Sequence, residues 1–458
     1  MTSASPPVPR PSLVHHRDFV KLWSAETISQ FGTQVSLLAI PLVAITFLQA
    51  TPLEVGVLGA VEFLPFILFA LPAGAWVDRL RRRPILVIGD LGRAVSLLSI
   101  PIAYELGSLT IWQLYVVAFV NGTLTVFFDV AYQSYLPALV ERDQIVEGNS
   151  KLEISRSAAQ IAGPGIAGLL IGAISAPLAI ISDAISFLGS GLFILGIRKH
   201  EPSPDRHVDE HGRRRGSMRE EIASGLRYVL QHPYLRSIAA CTGWSNFFTN
   251  MLFAVYFIYV VRVFGLTPEL IGIVFVVGNI STIVGALIAS RLGQSFGLGR
   301  TIILSAFLTG PGMLLIAVAP ANAPVPFLIA SQLFIGFAQI VYNINQVSFR
   351  QAITPDSMQG RMNATMRFIV WGTIPLGAIV GGLVGNSVGV TETIWIAAIG
   401  GFFSFAPLLI GPLRTLREIP PDVAETTTRA DRIDVVGVAI DESAEGLHLP
   451  PRPRTDES

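Results

Sequence analysis

Apolar residues in this chain fall in long, nearly unbroken runs, not in the short alternating pattern of strands. A helix crosses the hydrocarbon core of a bilayer in about 20 mostly apolar residues. Twelve runs meet that length, at about 19–48, 52–77, 85–104, 110–132, 157–174, 178–197, 237–262, 268–290, 301–319, 325–345, 364–386 and 393–412. The brief alternating segments of a membrane β-barrel are absent. The pattern predicts an all-α membrane protein with twelve transmembrane helices. Its divisions are a lead (1–18), a six-helix bundle (19–197), a central loop (198–236), a second six-helix bundle (237–413) and a tail (414–458). The lead has no apolar h-region, so it is not read as a cleaved signal peptide. The tail is rich in Pro, Asp, Glu and Thr and is expected to be disordered.

Composition agrees and adds the orientation. Apolar residues make up 51% of the 458 and charged residues 14%, against roughly a quarter charged in a soluble protein. Mean hydropathy is +0.58. The charges cancel, 32 against 32, so neither a nucleic-acid binder nor an acidic disordered chain is expected. Assigning each Lys and Arg to the nearer end or loop puts 31 of 32 on the side that holds both termini, and only Arg262 on the other. Cytoplasmic loops collect Lys and Arg. The chain therefore reads as a multi-pass protein of the cell (inner) membrane with both termini cytoplasmic.

The two bundles repeat one another. Under a shift of 216 residues, Ser29-Gln30-Phe31 meets Ser245-Asn246-Phe247, and Thr51-Pro52 with Gly56 meets Thr267-Pro268 with Gly272. A shift of 214 brings Ser134, Asn149, Gly163 and Gly168 onto Ser348, Asn363, Gly377 and Gly382. Parallel repeats about an axis along the membrane normal describe a transporter that rocks around a midplane site. After the second span, Gly74-Ala75-Trp76-Val77-Asp78-Arg79-Leu80-Arg81-Arg82-Arg83 resembles the loop signature G-x-x-x-D-R-x-G-R-[RK] of the major facilitator superfamily, with Arg81 in place of its Gly. Gly163-Pro164-Gly165-Ile166-Ala167-Gly168 is similar to the G-P-x-x-G-G motif of that superfamily's antiporters, with Ala167 in place of one Gly. The opening of the first span and Tyr132-Gln133-Ser134-Tyr135-Leu136-Pro137 resemble the branch of enterobactin exporters and macrolide efflux proteins.

The resemblance implies a gate. Asp78 ends the second span on the side of the termini and can accept from the unpaired N–H groups that open another helix, where the macrodipole favours a negative charge. The superfamily pattern implies that this helix is the eleventh, near Arg361 to Asn363, with Gly74, Arg79, Arg82, Arg83 and Asp129 completing the gating set. The repeat has Gln294 and Asn343 where the first half has Asp78 and Asp129. Gly163, Pro164 and Gly168, with Pro375, Gly377 and Gly382, mark kinked helices with close backbone approach.

An ionisable residue inside a span is a functional-site hypothesis by default. Glu26 lies seven residues into the first span, roughly 10 Å deep at 1.5 Å per residue. Glu62 lies near the midplane of the second, and Asp183 in the sixth has Ser182 and Ser186 to satisfy it locally. Glu26 and Glu62 correspond to Thr242 and Gly278 in the second half. If protons drive transport, they bind in the first half, at Glu26 or Glu62. Glu26, Gln30 and Gln34 share a helix face, and Asn246 with Asn250 forms the matching stripe in the seventh span. These, with Gln339, Asn343 and Trp371, are candidates to line a substrate cavity. No midplane cation stands out: Arg93 can pair with Asp90, and Arg367 can snorkel.

No phosphate-binding Gly-x-x-x-x-Gly-Lys-Ser/Thr loop occurs, and the histidines lie in polar stretches without metal-ligand spacing. Neither an enzyme nor a cofactor or metal is expected. The sequence reads as a monomeric secondary transporter whose partners are a small-molecule substrate, protons and the lipid bilayer, not nucleic acid. Export of drug-like or siderophore-like molecules by proton antiport fits best. The alternatives are a proton-coupled importer and a non-transporting membrane sensor or scaffold.

Overall fold

The computed structural model describes residues 12–77, 80–141, 144–199 and 218–416. The first half contains α1 (Arg17–Leu42), α2 (Pro52–Val77), α3 (Arg82–Glu105), α4 (Ile111–Leu139), α5 (Ile145–Ile174) and α6 (Ala176–Leu195). A short α7 (Met218–Gln231) follows. The second half contains α8 (Pro233–Ile258), α9 (Pro268–Phe296), α10 (Leu298–Ala317), α11 (Pro324–Ala352), α12 (Asp356–Ser387) and α13 (Val390–Phe402), with α14 (Ala406–Ile410) continuing the last span. Among the described residues, twelve helical stretches are long and apolar enough to cross a membrane, and none is a strand. Only helices and closed barrels satisfy every backbone group inside lipid, so the predicted class follows directly.

Several helices outrun their apolar stretches. α5 starts at Ile145, twelve residues before the predicted 157, because Glu147, Lys151, Glu153 and Arg156 depress hydropathy without opposing helix formation. α7 lies within the stretch read as the central loop. It is too short and too charged to register as a span, yet it packs on α12: a Cβ at Gly225 would lie 3.0 Å from the Arg361 carbonyl oxygen. At its join to α8, His232 stands between the rings of Tyr228 and Tyr234, 5.9 Å from each. Burial holds its pKa below the usual imidazole value by disfavouring the charged form.

The repeat extends to backbone detail. α1 and α8 each end in a π-helical turn, Val43–Phe47 and Tyr259–Val263, 216 residues apart. The amides that follow bond back identically: Leu48 to Val43 and Ala50 to Ala44, Phe264 to Tyr259 and Leu266 to Val260. Left-handed residues recur too, Gln49 (φ 52°) with Gly265 (φ 65°) and Ser175 (φ 86°) with Gly389 (φ 114°). Glycine suits that conformation without steric cost, and the second half has it at both positions.

The halves meet mainly toward the membrane side opposite the termini, here the far side. Two crossings related by the repeat bring backbone against backbone. A Cβ on Gly272 of α9 would lie 2.5 Å from the Pro164 oxygen of α5, and one on Gly168 would lie 2.5 Å from the Pro268 oxygen. Likewise a Cβ on Gly56 of α2 would lie 2.5 Å from the Ala378 oxygen of α12, and one on Gly382 would lie 2.8 Å from the Pro52 oxygen. Around these crossings runs one apolar core shared by both halves, with Leu42, Val43 and Ala50 together with Val255, Ile258 and Val260. On the side of the termini the core divides. Leu22, Leu86 and Tyr135 gather in the first half, and Ile238, Ile302 and Phe349 in the second. The protein is thus closed on the far side and parted on the side of the termini.

The crossings predict matched effects from matched substitutions. Gly272→Ala and Gly56→Ala should each lose about 1–3 kcal/mol, the usual range for overpacking, seen as lower melting midpoints in detergent. Gly59→Ala is the control, since among the described residues its Cβ would meet only the Ala378 side chain, at 3.9 Å. Equal midpoints for all three would contradict the close-approach account.

Candidate functional site

A cavity of about 880 Å³ opens between α1, α4 and α5. Glu26 forms part of its wall, with Tyr132 and Gln133 from α4 and Asn149, Glu153, Arg156 and Ile161 from α5. Glu26 is buried, 9% exposed, and its Oε1 accepts a 2.7 Å hydrogen bond from Gln30 Nε2. The i, i+4 spacing on one helix face makes that contact. The Tyr132 hydroxyl is buried and has no hydrogen-bond partner among the described residues. The wall therefore combines one deep carboxyl, an unpaired hydroxyl and charges of both signs at Glu153 and Arg156. Trp23 and Thr27, on the same helix as Glu26, reach Ser155 of α5 at 2.7 and 3.0 Å, fixing α1 beside α5.

The other predicted cavity residues go elsewhere. Gln34 packs its aliphatic stem against Gly163. The Asn246 amide donates to the Val370 carbonyl at 3.1 Å and that of Asn250 to the Asn246 carbonyl at 2.8 Å, so both hold backbone within the second half. Asn246 and Gln339 line a separate polar pocket of about 30 Å³ with Cys241, Thr242, Ser245 and Tyr342, roughly the room of one water. Asn343 accepts from Gln346 at 3.0 Å. Trp371 stands edge-on to Phe66 of α2, with centroids 5.9 Å apart, and Arg367 lies 5.6 Å over its ring. Glu62 is half-buried near the midplane of α2.

Two buried networks tie α1, α3 and α6 of the first half together. Arg93 pairs with Asp90 at 2.6 Å, Asp90 also accepts from Ser190 of α6 at 2.6 Å, and the guanidinium lies 4.3 Å over Phe128 and 4.1 Å over Phe187. Arg93 is 6% exposed. The pairing of Arg93 with Asp90 expected from their spacing is present, and the buried cation is neutralised by its neighbour on α3. Asp183 accepts from Ser186 at 3.1 Å and from Ser36 of α1, while Ser182 turns to the Ala179 carbonyl instead. A Cβ on Gly32 would strike Asp183 and Ser186, which is why α1 carries a glycine there.

Of the gating set, Asp78 and Arg79 lie outside the described residues. Among the described residues nothing lies within 4 Å of where a Cβ on Gly74 would sit. Arg83 donates to the carbonyls of Ile194 at 3.3 Å and Leu195, placing a cation at the negative C-terminal end of α6. Asp129 is exposed on α4. Tyr132, Glu153 and Arg156 were not foreseen as cavity residues. The signal lay in the charged segment before 157, read as loop, and in the Tyr132 motif, read only as resemblance.

The comparisons with known proteins agree with this architecture. The profile of a family described as transmembrane secretion effector matches residues 11–431. The multidrug efflux pump Tap of Mycolicibacterium fortuitum is 26% identical over 377 residues, covering 79% of this chain and 88% of that protein. Macrolide efflux protein A of Streptococcus pyogenes is 21% identical over 381 residues, covering 82% and 91%. Among solved structures, nucleoside transporter NupG superposes with a TM-score of 0.68 at 15% identity, over 86% of this chain and 98% of that one. A bacterial homologue of the iron transporter ferroportin in an inward-facing state gives 0.66 at 14%, over 86% and 98%. At those identities the structures speak for the fold alone.

The Asp90–Arg93 pair yields a stability test. Asp90→Ala strands a buried guanidinium, a loss of about 3–5 kcal/mol for such pairs, to be read as a fall in the melting midpoint in detergent. An unchanged midpoint would show that the two phenyl rings alone suffice for the charge.

Proposed function

The chain belongs to the transmembrane secretion effector family of the major facilitator superfamily, and from that premise we propose that it exports amphiphilic, drug-like small molecules in exchange for protons. The observation that carries the reading is the placement of Glu26: a buried carboxyl on the wall of an 880 Å³ cavity, in a bundle sealed on the far side. Burial in apolar surroundings disfavours the charged form of a carboxyl. A cationic or hydrogen-bonding substrate entering the cavity favours that charged form. Substrate and proton then compete for one group, which is the chemical basis of antiport. Ile154, Ile161 and Leu152 supply apolar wall beside it, suited to an amphiphile.

The superfamily relationship makes this a multi-pass membrane transporter; its sidedness is part of the proposal. The clustering of Lys and Arg on the side of the termini supports reading that side as cytoplasmic, with the cavity loading from within the cell. Asp78 and Arg79 are assigned to closing that side against the start of α12 in the alternate state. Glu62 is the second candidate for proton binding, on the half that already carries Glu26. A catecholate siderophore fits less well, because the amides of Asn246 and Asn250 are committed to backbone carbonyls.

In an efflux-deficient host, the protein should lower accumulation of ethidium or erythromycin only while a proton gradient is maintained. Glu26→Gln should abolish the gradient-dependent part, a loss of at least about tenfold, since general acid–base and coupling groups typically contribute more. Gradient-dependent depletion of no compound in a broad panel would overturn export, and full activity in Glu26→Gln would overturn the assignment of Glu26.

A further inference from the structure

Among the described residues one Lys or Arg, Arg262, lies toward the far side, and it bridges the two halves. Arg262 lies in the π-turn Tyr259–Val263 that ends α8. Its Nη2 donates to the carbonyl oxygens of Ile45 and Ala50, each at 3.0 Å, at the end of α1 in the other half. The last carbonyls of a helix have no intrahelical donor. Here the amides of Leu48 and Ala50 return to Val43 and Ala44, passing over Ile45 and leaving its oxygen to Arg262. The C-terminal end of a helix also carries the negative pole of its macrodipole. The guanidinium thus meets oriented partial charge in a setting where an unpaired cation is costly.

The repeat shows that this contact is built once. The related turn of α1 has the same backbone bonds, but the position of Arg262 is taken by Thr46. The Thr46 hydroxyl donates to Leu42 of its own helix at 2.6 Å. Around the bridge, Val43, Ile45, Val255 and Val260 are buried in the shared apolar core. Apolar packing alone resists separation without choosing a register; two charge-assisted bonds to fixed carbonyls supply one.

We propose that Arg262 is a positioning residue of the transport cycle, a latch that holds the far side shut and lets go of Ile45 and Ala50 when that side opens. When released, it keeps the negative end of its own helix beside it and gains water, so the open state is reachable. The inference rests on alternating access, but its test needs no substrate and stands apart from any transport assay.

Cys241 is the single cysteine, so Cys241→Ser gives a thiol-free background. In that background Ala378→Cys places a thiol at a site 5% exposed and facing Gly59 across the halves. A membrane-impermeant maleimide added outside intact cells reports opening of the far side. Hydrogen bonds to charged groups are stronger than neutral ones, so Arg262→Ala should speed labelling by at least about tenfold, and Arg262→Lys, which keeps the charge, by less. Should Arg262→Ala not reach the membrane, Arg262→Gln gives the same reading. Ala184→Cys, buried within one half, is the control and should stay unlabelled throughout. Equal labelling with and without Arg262 would overturn the latch, as would a parallel rise at Ala184→Cys, which signals general loosening.

Discussion

The two halves of this protein hold one another through places where no side chain can fit. Gly168 with Gly272, and Gly56 with Gly382, bring four helices together backbone to backbone. In a membrane, helix association gains little from hydrophobicity, because lipid tails are as apolar as leucine; close packing of small residues does the work instead. Both crossings lie toward one side, so the bundles share a core there and part on the other. The cavity beside Glu26 lies on the parted side, lined by the ends of α1, α4 and α5 that are nearest the termini.

A one-sided grip is what a rocking transporter requires. In the proposed cycle these crossings part when the far side opens, and the groups that hold each side shut can differ. On the far side the shared apolar core and the bonds of Arg262 to Ile45 and Ala50 join the halves. On the side of the termini the acidic and basic loop motif is assigned the corresponding task. Among the described residues the buried carboxyls and the buried arginine lie in the first half, and Asp90, Arg93 and Asp183 are each satisfied within or between α1, α3 and α6. A proton-binding carboxyl is useful only if its surroundings change with state. Glu26 is proposed for that role because it sits at the cavity wall, not inside one of those closed networks.

The twelve spans were legible because lipid demands unbroken apolar helices, and the repeat was legible because shifts of 216 and 214 residues align without gaps. The matched π-turns were not foreseen, since nothing in the side chains of Val43–Phe47 or Tyr259–Val263 marks a change of hydrogen-bonding pattern. The site was readable in part. Glu26 stood out as a charge inside a span, and its bond to Gln30 followed from helical spacing. Asn246 and Asn250 look like cavity residues by the same spacing, yet their amides serve backbone carbonyls, a choice set by neighbouring helices. Arg156 and Glu153 were hidden for the opposite reason: a helix that continues past the membrane surface carries charges, and hydropathy reads such a stretch as loop. Arg262 was visible as an exception to the charge asymmetry, but its partners are main-chain oxygens, which sequence does not display.

The central claim is that substrate and proton compete for the Glu26 carboxyl. Its most direct measure is proton release when tetraphenylphosphonium is added to purified protein in weakly buffered detergent near neutral pH. The expected result is saturable release of protons by the parent protein and none by Glu26→Gln at equal protein concentration. Saturable binding of the cation without proton release, or identical release from both proteins, would contradict it.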